Sequence, residues 1–444
     1  MTTPAWVPET PVGWVVDQTR RYFEVKKELN SDRSISQVLS LTLRGVVQND
    51  PDNPEGLVPS DYGTYQIFDE GDLVFKLIDL ENLRTSRVGL VPESGIMSSA
   101  YIRLVPRSSM DSRFAYWYYY SLWVRNIYNQ LGGGVRATLG SADLLALPVV
   151  VPPMEEQRRI ADFLDDQVGR IDQAIGLRGR QEAAYSDLLE SRIEELIYGL
   201  KELPSSEPSG GHLAATIAVN RAPSEWRRCR LKSVAQRSRA IRGDTSAPLL
   251  SLSSQGFLRT RADDQQPPAD ASLPRYLLVK PDDLVVNPMW LLGGAIAVSN
   301  MSGAVSPDYR AFHLDHSVAP RYVHHLLRSR LYMDQYKLYM RADTTFDRRV
   351  QQHDLDNMPI ALPPRYEQVS RAAVLDRSAS EALKIEEAFA GWKQVLEERK
   401  RALITAAVTG QLDITVARPL TAPWVSSGLS ASVESPVVSV GVAL

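Results

Sequence analysis

The 444-residue sequence has one cysteine, Cys229, and six histidines. A single thiol excludes a disulfide framework and every multi-thiolate zinc site, and it fits a reducing cytoplasm. No run approaches the ~18 apolar residues of a membrane span. The segment from Met1 to Trp14 lacks a basic start followed by an apolar core, so it does not read as a secretory signal. No phosphate-cradling Gly-x-x-x-x-Gly-Lys-Ser/Thr is present, nor a glycine-rich strand-turn-helix cofactor motif, so ATP-driven work is expected of another chain. His313-Leu314-Asp315-His316 and His324-His325 lack the spacing of metal ligands and read as surface or satisfied core histidines. Gly132–Gly134 and Gly293-Gly294 read as turns.

A large net charge is also missing. The chain carries −3 overall, with 44% hydrophobic and 23% charged residues, an ordinary globular composition. The sum hides an asymmetry, because residues 220–363 hold 20 Lys/Arg against 14 Asp/Glu, whereas residues 153–200 hold 6 against 11. One section therefore attracts a polyanion that another repels. The length exceeds what one hydrophobic core usually supports, so two or three domains are expected.

What is present is one unit written twice, offset by roughly 211 residues. Pro11 to Trp14 matches Pro223 to Trp226, and Leu39-Ser40-Leu41 with Gly45 matches Leu250-Ser251-Leu252 with Gly256. Tyr65 and Asp72-Leu73-Val74 match Tyr276 and Asp283-Leu284-Val285, and Ser98 and Tyr101 match Ser306 and Tyr309. Register is held at Pro152-Pro153 and Glu156-Gln157 against Pro363-Pro364 and Glu367-Gln368. Each copy begins with short runs of β-branched and aromatic residues between turn signals, which predicts an α/β domain with short strands. An aromatic helix candidate covers Phe114 to Tyr128, and its run Tyr116–Tyr120 fits a core better than a base-stacking platform.

Each copy ends in a long helix. Pro152-Pro153 pre-sets the first turn, and Glu155-Glu156 place negative charge where the helix dipole favours it. A narrow apolar stripe follows at Ile160, Leu164, Val168, Ile171 and Ile175, then at Tyr185, Leu189, Ile193, Leu196 and Leu200. The second copy starts its stripe at Val369 and Ala373 and continues through Ile385, Phe389, Trp392, Leu396, Leu403 and Ala407, with Gly410 as C-cap. Narrow stripes suit pairing with one partner helix. The expected organisation is a first domain at 1–152, a central helix at 153–200, a linker at 201–219, a second domain at 220–363, a distal helix at 364–411 and a tail at 412–444.

The junction Leu147 to Ala161, with Phe163-Leu164-Asp165 after it, resembles the start of the conserved helix in specificity subunits of type I restriction–modification systems. The stretch Leu396 to Asp413 resembles the end of that family's distal helix, and Gly132 to Leu144 is similar to the loop the family carries before the first helix. The resemblance covers essentially the whole chain. It implies an α/β fold of two tandem target-recognition domains, joined by two long helices that form an antiparallel coiled coil. It also implies a non-catalytic subunit whose domains each read half of a split target in double-stranded DNA. The implied partners are two methyltransferase subunits and the restriction/translocase subunits, with S-adenosylmethionine, ATP and Mg held by those partners and no cofactor on this chain. Glu156, Gln157, Glu367 and Gln368, at the matched helix starts, are the expected partner contacts.

Arg and Lys neutralise phosphates, Arg reads guanine edges, and Asn reads adenine. The DNA contacts expected in the first domain are Lys76, Arg84, Arg87, Arg103, Arg136 and Thr138; those in the second are Arg259, Arg261, Asn287, Arg310, Arg341, Arg348 and Arg349. Asn287-Pro288-Met289-Trp290 comes close to the Asn-Pro-Pro-aromatic motif of DNA methyltransferases. The second proline is missing and the repeat pairs Asn287 with Lys76, so a strand end or DNA contact is favoured. A self-sufficient DNA methyltransferase is the alternative.

Overall fold

The computed structural model describes residues 4–49, 61–81, 85–132, 138–199, 214–253, 255–261, 270–340 and 349–414. Contacts divide the chain into two units, Met1–Arg178 with Ala390–Leu444, and Gly179–Phe389. The division falls inside both long helices, so each unit combines one α/β domain with half of each helix.

The first domain runs β1 (Val15–Gln18), β2 (Phe23–Lys26), β3 (Leu39–Thr42), β4 (Gly45–Gln48), β5 (Gln66–Phe68), β6 (Leu73–Phe75), β7 (Val88–Leu90), β8 (Gly95–Met97), β9 (Ile102–Pro106), α1 (Ser112–Val124), α2 (Ile127–Leu131), α3 (Ser141–Ala146) and β10 (Pro148–Val151), followed by helix α4 (Met154–Tyr198). After α5 (Ala214–Arg221) the second domain repeats the order: β11 (Arg227–Arg230), β12 (Ala235–Arg237), β13 (Leu250–Leu252), β14 (Leu258–Thr260), β15 (Leu277–Val279), β16 (Leu284–Val286), β17 (Ile296–Val298), β18 (Gly303–Val305), β19 (Arg310–Leu314), α6 (Pro320–Arg328), α7 (Arg330–Tyr339), α8 (Gln352–Asp356), β20 (Pro359–Leu362) and helix α9 (Arg365–Val408). The sheets repeat as well. A four-stranded sheet β2-β9-β6-β7 has its counterpart in β12-β19-β16-β17, and the pairs β1-β10, β3-β4 and β5-β8 recur as β11-β20, β13-β14 and β15-β18. The duplication read from the sequence is a duplication of topology.

Matched residues do the same local work in both copies. Trp14 and Trp226 close their turns by donating backbone N–H to Pro11 and Pro223. The Asp72 carboxylate accepts from the Asp69 N–H at 2.8 Å, as Asp283 does from Lys280 at 2.8 Å. Gly95 and Gly303 sit where a Cβ would lie 2.7 Å from Leu39 Cγ and 2.6 Å from Leu250 Cγ, so only glycine lets β8 and β18 approach that closely.

In the first unit, Phe23, Phe75, Leu104, Phe114, Tyr118, Tyr119 and Tyr128 form the core with Ile160, Leu164 and Val168 of α4 and Ile404, Ala407 and Val408 of α9. Tyr118 and Tyr119 are buried, and Tyr116 and Tyr120 pack against the same core, so the aromatic run is structural. The expected single helix over Phe114 to Tyr128 breaks in two at Asn126, whose φ of 58° is left-handed. The Lys400 ammonium meets Asp172 at 2.7 Å and the Arg178 guanidinium lies over the Trp392 ring at 5.6 Å, so α4 and α9 run antiparallel here. Gly410 ends α9 with a φ of 75°.

In the second unit, Leu284, Val286, Phe312, Tyr322, Tyr332, Tyr336 and Ile360 pack with Ile197 and Tyr198 of α4 and with Ala372 and Leu375 of α9. Arg371 donates to the Leu196 carbonyl at 2.9 Å, and Tyr185 and Leu189 of α4 line one cavity with Ala382 and Ile385 of α9, so here too the helices run antiparallel. Two expectations need correction. The end of the expected linker is helix α5, held because Ala215, Ala218, Val219 and Ala222 are buried. The stripe of α9 begins at Ala372 and Leu375, whereas Val369 and Ala373 are exposed. The cause is Gln368, which is buried and sets the inward face one residue away from Val369. Residues 415–444 of the expected tail lie outside the described residues, as does most of the linker.

Candidate nucleic-acid interface

In each domain the end of the third strand of the main sheet meets the segment that precedes the last short helix. In the second domain, the turn between β16 and β17 is closed by Asn287 N–H donating to the Ala295 carbonyl at 3.0 Å. The Asn287 side-chain oxygen accepts from the Met289 N–H at 3.1 Å, so this amide shapes its own turn. Val350 N–H donates to the Pro288 carbonyl at 3.1 Å and brings Arg349 alongside, its guanidinium 3.5 Å from the Met289 sulfur and 3.6 Å from Asp308. Arg310 stands opposite Val286 in the sheet register and donates to the Asp308 and Tyr309 carbonyls. Burial lowers the Arg310 pKa, and the charges of Arg237 and Arg349 lower it further. Arg237, Arg310 and Arg349 therefore form one cationic site, with Asp308 as the carboxylate among them.

The first domain builds the same place with other side chains. Lys76, one residue past β6, donates its N–H to the Arg87 carbonyl, the counterpart of Asn287. Its ammonium lies 6.0 Å from the Tyr101 ring centroid. Burial and the neighbouring Arg87 lower the Lys76 pKa, while Asp79 raises it. Leu139 N–H donates to the Leu77 carbonyl at 2.9 Å, which places exposed Thr138 where the second domain has Arg349. Ile102 stands opposite Phe75, where the second domain has Arg310 opposite Val286.

The structure removes two residues from the expected DNA face. Arg103 is 2% exposed; it donates to Asp72 and Asp69 at 2.6 Å each and to the Ile67 carbonyl at 2.8 Å. Arg87 is 1% exposed and donates to the carbonyls of Lys76, Ile78 and Asp79. Both guanidiniums are spent inside the domain, on carboxylates and carbonyls. Arg259 is exposed on β14, and Arg261 is half-buried near Tyr309. Arg84, Arg136, Arg341 and Arg348 lie outside the described residues. The residue that sequence reasoning missed is Arg237, whose signal is the basic stretch Arg227 to Arg242.

The helix starts correct the expected partner contacts. Gln157 is 1% exposed; its side-chain oxygen accepts from the Asp111 N–H at 2.8 Å, and its amide donates to the Pro152 carbonyl at 2.9 Å. Gln368 makes the matching bonds to the Ala319 N–H and the Pro363 carbonyl, each at 2.8 Å. Each glutamine ties the start of the domain's aromatic helix to the start of the long helix, so neither is a docking residue. Glu156 accepts from the Trp14 indole at 3.0 Å, and Glu367 pairs with Arg371 at 3.2 Å; both are half-buried.

A second clamp joins the same elements. Arg113 and the Trp117 indole hold Asp165 at 3.0 and 2.8 Å; in the second copy Arg321 and His325 hold Asp376, the imidazole at 2.7 Å. All six histidines lie between 212 and 353, so this pair of clamps differs in its response to acid. Burial keeps both His324 and His325 below the ordinary imidazole value, with Asp376 opposing the shift at His325. The native state therefore resists protons that the unfolded chain accepts near pH 6.5. Stability is full above about pH 6.5 and falls as the pH drops below it. Hydrogen-exchange protection of α6 is expected to fall as the pH drops from about 6.5 to 5.5, while that of α1 holds. Equal losses in both helices would contradict this assignment.

Residues 49–175 match the family model described as type I restriction modification DNA specificity domain. None of the curated proteins matches the chain. Among solved structures, one described as the basis of complex assembly and conformational transition of the type I R-M system is 18% identical, covers 91% of this chain and 100% of its own, and gives a TM-score of 0.64. The HsdS subunit from Thermoanaerobacter tengcongensis is 17% identical over 91% of this chain and 99% of its own, with a TM-score of 0.47. The S subunit of a type I restriction-modification system from M. genitalium is 11% identical over 92% and 98%, with a TM-score of 0.38. No helix among the described residues is long and apolar enough to cross a membrane. Residues 49–175 are thus similar to a type I restriction modification DNA specificity domain, and the chain shares its fold with a solved type I R-M structure.

Proposed function

We propose that this chain is the DNA-reading subunit of a cytoplasmic type I restriction–modification complex, each α/β domain reading one half of a bipartite target. The observation that carries the reading is the pairing of one scaffold with two sets of polar side chains. Where the strand end and the pre-helix segment meet, the first domain presents Lys76 and Thr138 and the second presents Asn287, Arg310 and Arg349. The matched family domain covers this site in the first copy, and the second copy repeats its topology. Identical frames carrying different hydrogen-bonding groups suit two different base sequences.

The long helices serve as spacer and as platform. Helix α4 has 45 residues and α9 has 44, each about 65 Å at 1.5 Å per residue. Such a length separates two half-sites by unread base pairs. Two methyltransferase subunits assemble on this chain and bring S-adenosylmethionine, and restriction subunits bring ATP and Mg. The chain itself is non-catalytic: Asn287, the one candidate for a methyltransferase motif, has its side-chain oxygen engaged by its own turn. The test is the methylome of a host carrying the complete system. A split motif with a fixed unread spacer is expected, and a continuous motif would refute the two-reader assignment.

A further inference from the structure

The turn after Asn287 carries two exposed apolar side chains, Trp290 and Leu292. Trp290 is 60% exposed, whereas Trp226 and Trp117 are 4% and 7% exposed. Leu292, two residues on, is 41% exposed. A large apolar ring in water is costly unless something covers it.

The turn is built rigidly. Trp290 N–H donates to the Asn287 carbonyl at 3.1 Å, and the Trp290 carbonyl accepts from Gly293 at 3.0 Å. Between the two exposed side chains, Leu291 is buried in the domain core. Arg328 donates to the Gly294 carbonyl from below and packs against Gly256 on its other side, so the turn bearing exposed Phe257 is held next to this one. The tryptophan is thus carried on a braced platform.

The surroundings say what covers it. Arg349 reaches Met289, the residue before Trp290, and Arg310 and Arg237 complete the cationic site beside the turn. An exposed indole one residue from a cationic site suits a ligand with flat apolar faces and a negative backbone, which is the chemistry of nucleic acid. The first domain has no such residue among its described positions: Leu77 and Leu80 of the matching turn are buried, and Ile78 is the exposed one.

We propose that Trp290 is a base-stacking wedge, inserting its indole at one base step of the half-site read by the second domain while the neighbouring arginines hold the flanking backbone. This rests on the DNA-reading function proposed above and adds an unstacked step to one half-site only. The experiment uses the chain assembled with its methyltransferase partner and duplexes of the methylated target, with 2-aminopurine placed in turn at each step of that half-site other than the methylated adenine. Wild-type complex is expected to brighten one position. Trp290→Ala should abolish that signal and weaken specific binding about 5- to 150-fold, while Trp290→Phe retains part of both. A Trp290→Ala complex with wild-type melting temperature, affinity and fluorescence overturns the wedge, and the DNA-reading function stands as long as wild type binds its site specifically. Wild type without specific binding overturns both. A variant that binds DNA normally but no longer retains the methyltransferase overturns the wedge in favour of a protein contact.

Discussion

Replacing Arg103 by alanine is expected to unfold the first unit at a temperature on the order of 10 °C lower, a loss of ~3–5 kcal/mol. The guanidinium is buried and supplies the cation for Asp72, whose side chain is 4% exposed. Removing it leaves a carboxylate in the domain interior with the Asp69 N–H as its remaining donor. Burial already holds the Asp72 pKa above the ordinary carboxylate value, against the bonds that lower it. Without Arg103 that shift grows. The native state then binds a proton that the unfolded chain releases near pH 4, so stability of the variant rises as the pH is lowered from about 7 toward 5. Thermal unfolding at the two pH values measures both effects. A variant with wild-type stability and weakened DNA binding would restore Arg103 to the DNA face.

The double substitution Arg310→Ala with Arg349→Ala is expected to weaken specific DNA binding by about 10²- to 10⁴-fold, because each base contact contributes roughly 1–3 kcal/mol. The two guanidiniums come from separate segments and meet at Asp308, Arg349 beside its carboxylate and Arg310 at its carbonyl. If they hold phosphates instead of bases, loss of affinity is uniform over sequences and the salt slope falls by about one per residue. If they read bases, discrimination relaxes in the second half-site alone. Affinity and salt dependence on cognate and scrambled duplexes separate the two modes. Unchanged values for both would remove this site from the interface.

The duplication, the long helices and the place where polar residues gather were legible in the sequence because they recur. The same recurrence misled at the helix starts. Glu-Gln appears at both helix starts, and its recurrence reads as a shared partner contact, yet Gln157 and Gln368 are buried braces. Recurrence in a tandem repeat marks what both copies need, and both need the scaffold. Asp72 and Asp283 follow the same rule, differing only in whether Arg103 or His313 meets them. The informative positions are those where matched backbones carry unmatched side chains: Lys76 and Asn287, Ile102 and Arg310, Thr138 and Arg349. Arg87 and Arg103 escaped because nothing local to a strand residue reveals carboxylates and carbonyls brought from other turns. Val369 was misread for a similar reason, since a buried polar residue rotated the stripe that an apolar count alone would place elsewhere.

Independent reading of two half-sites by the two domains is what the proposed function requires. Its most direct test exchanges residues 220–363 for the corresponding domain of another specificity subunit and determines the methylome of cells carrying the hybrid with its methyltransferase. The expected result is a new sequence in one half of the methylated motif, with the other half and the spacer unchanged. A motif altered in both halves would contradict it.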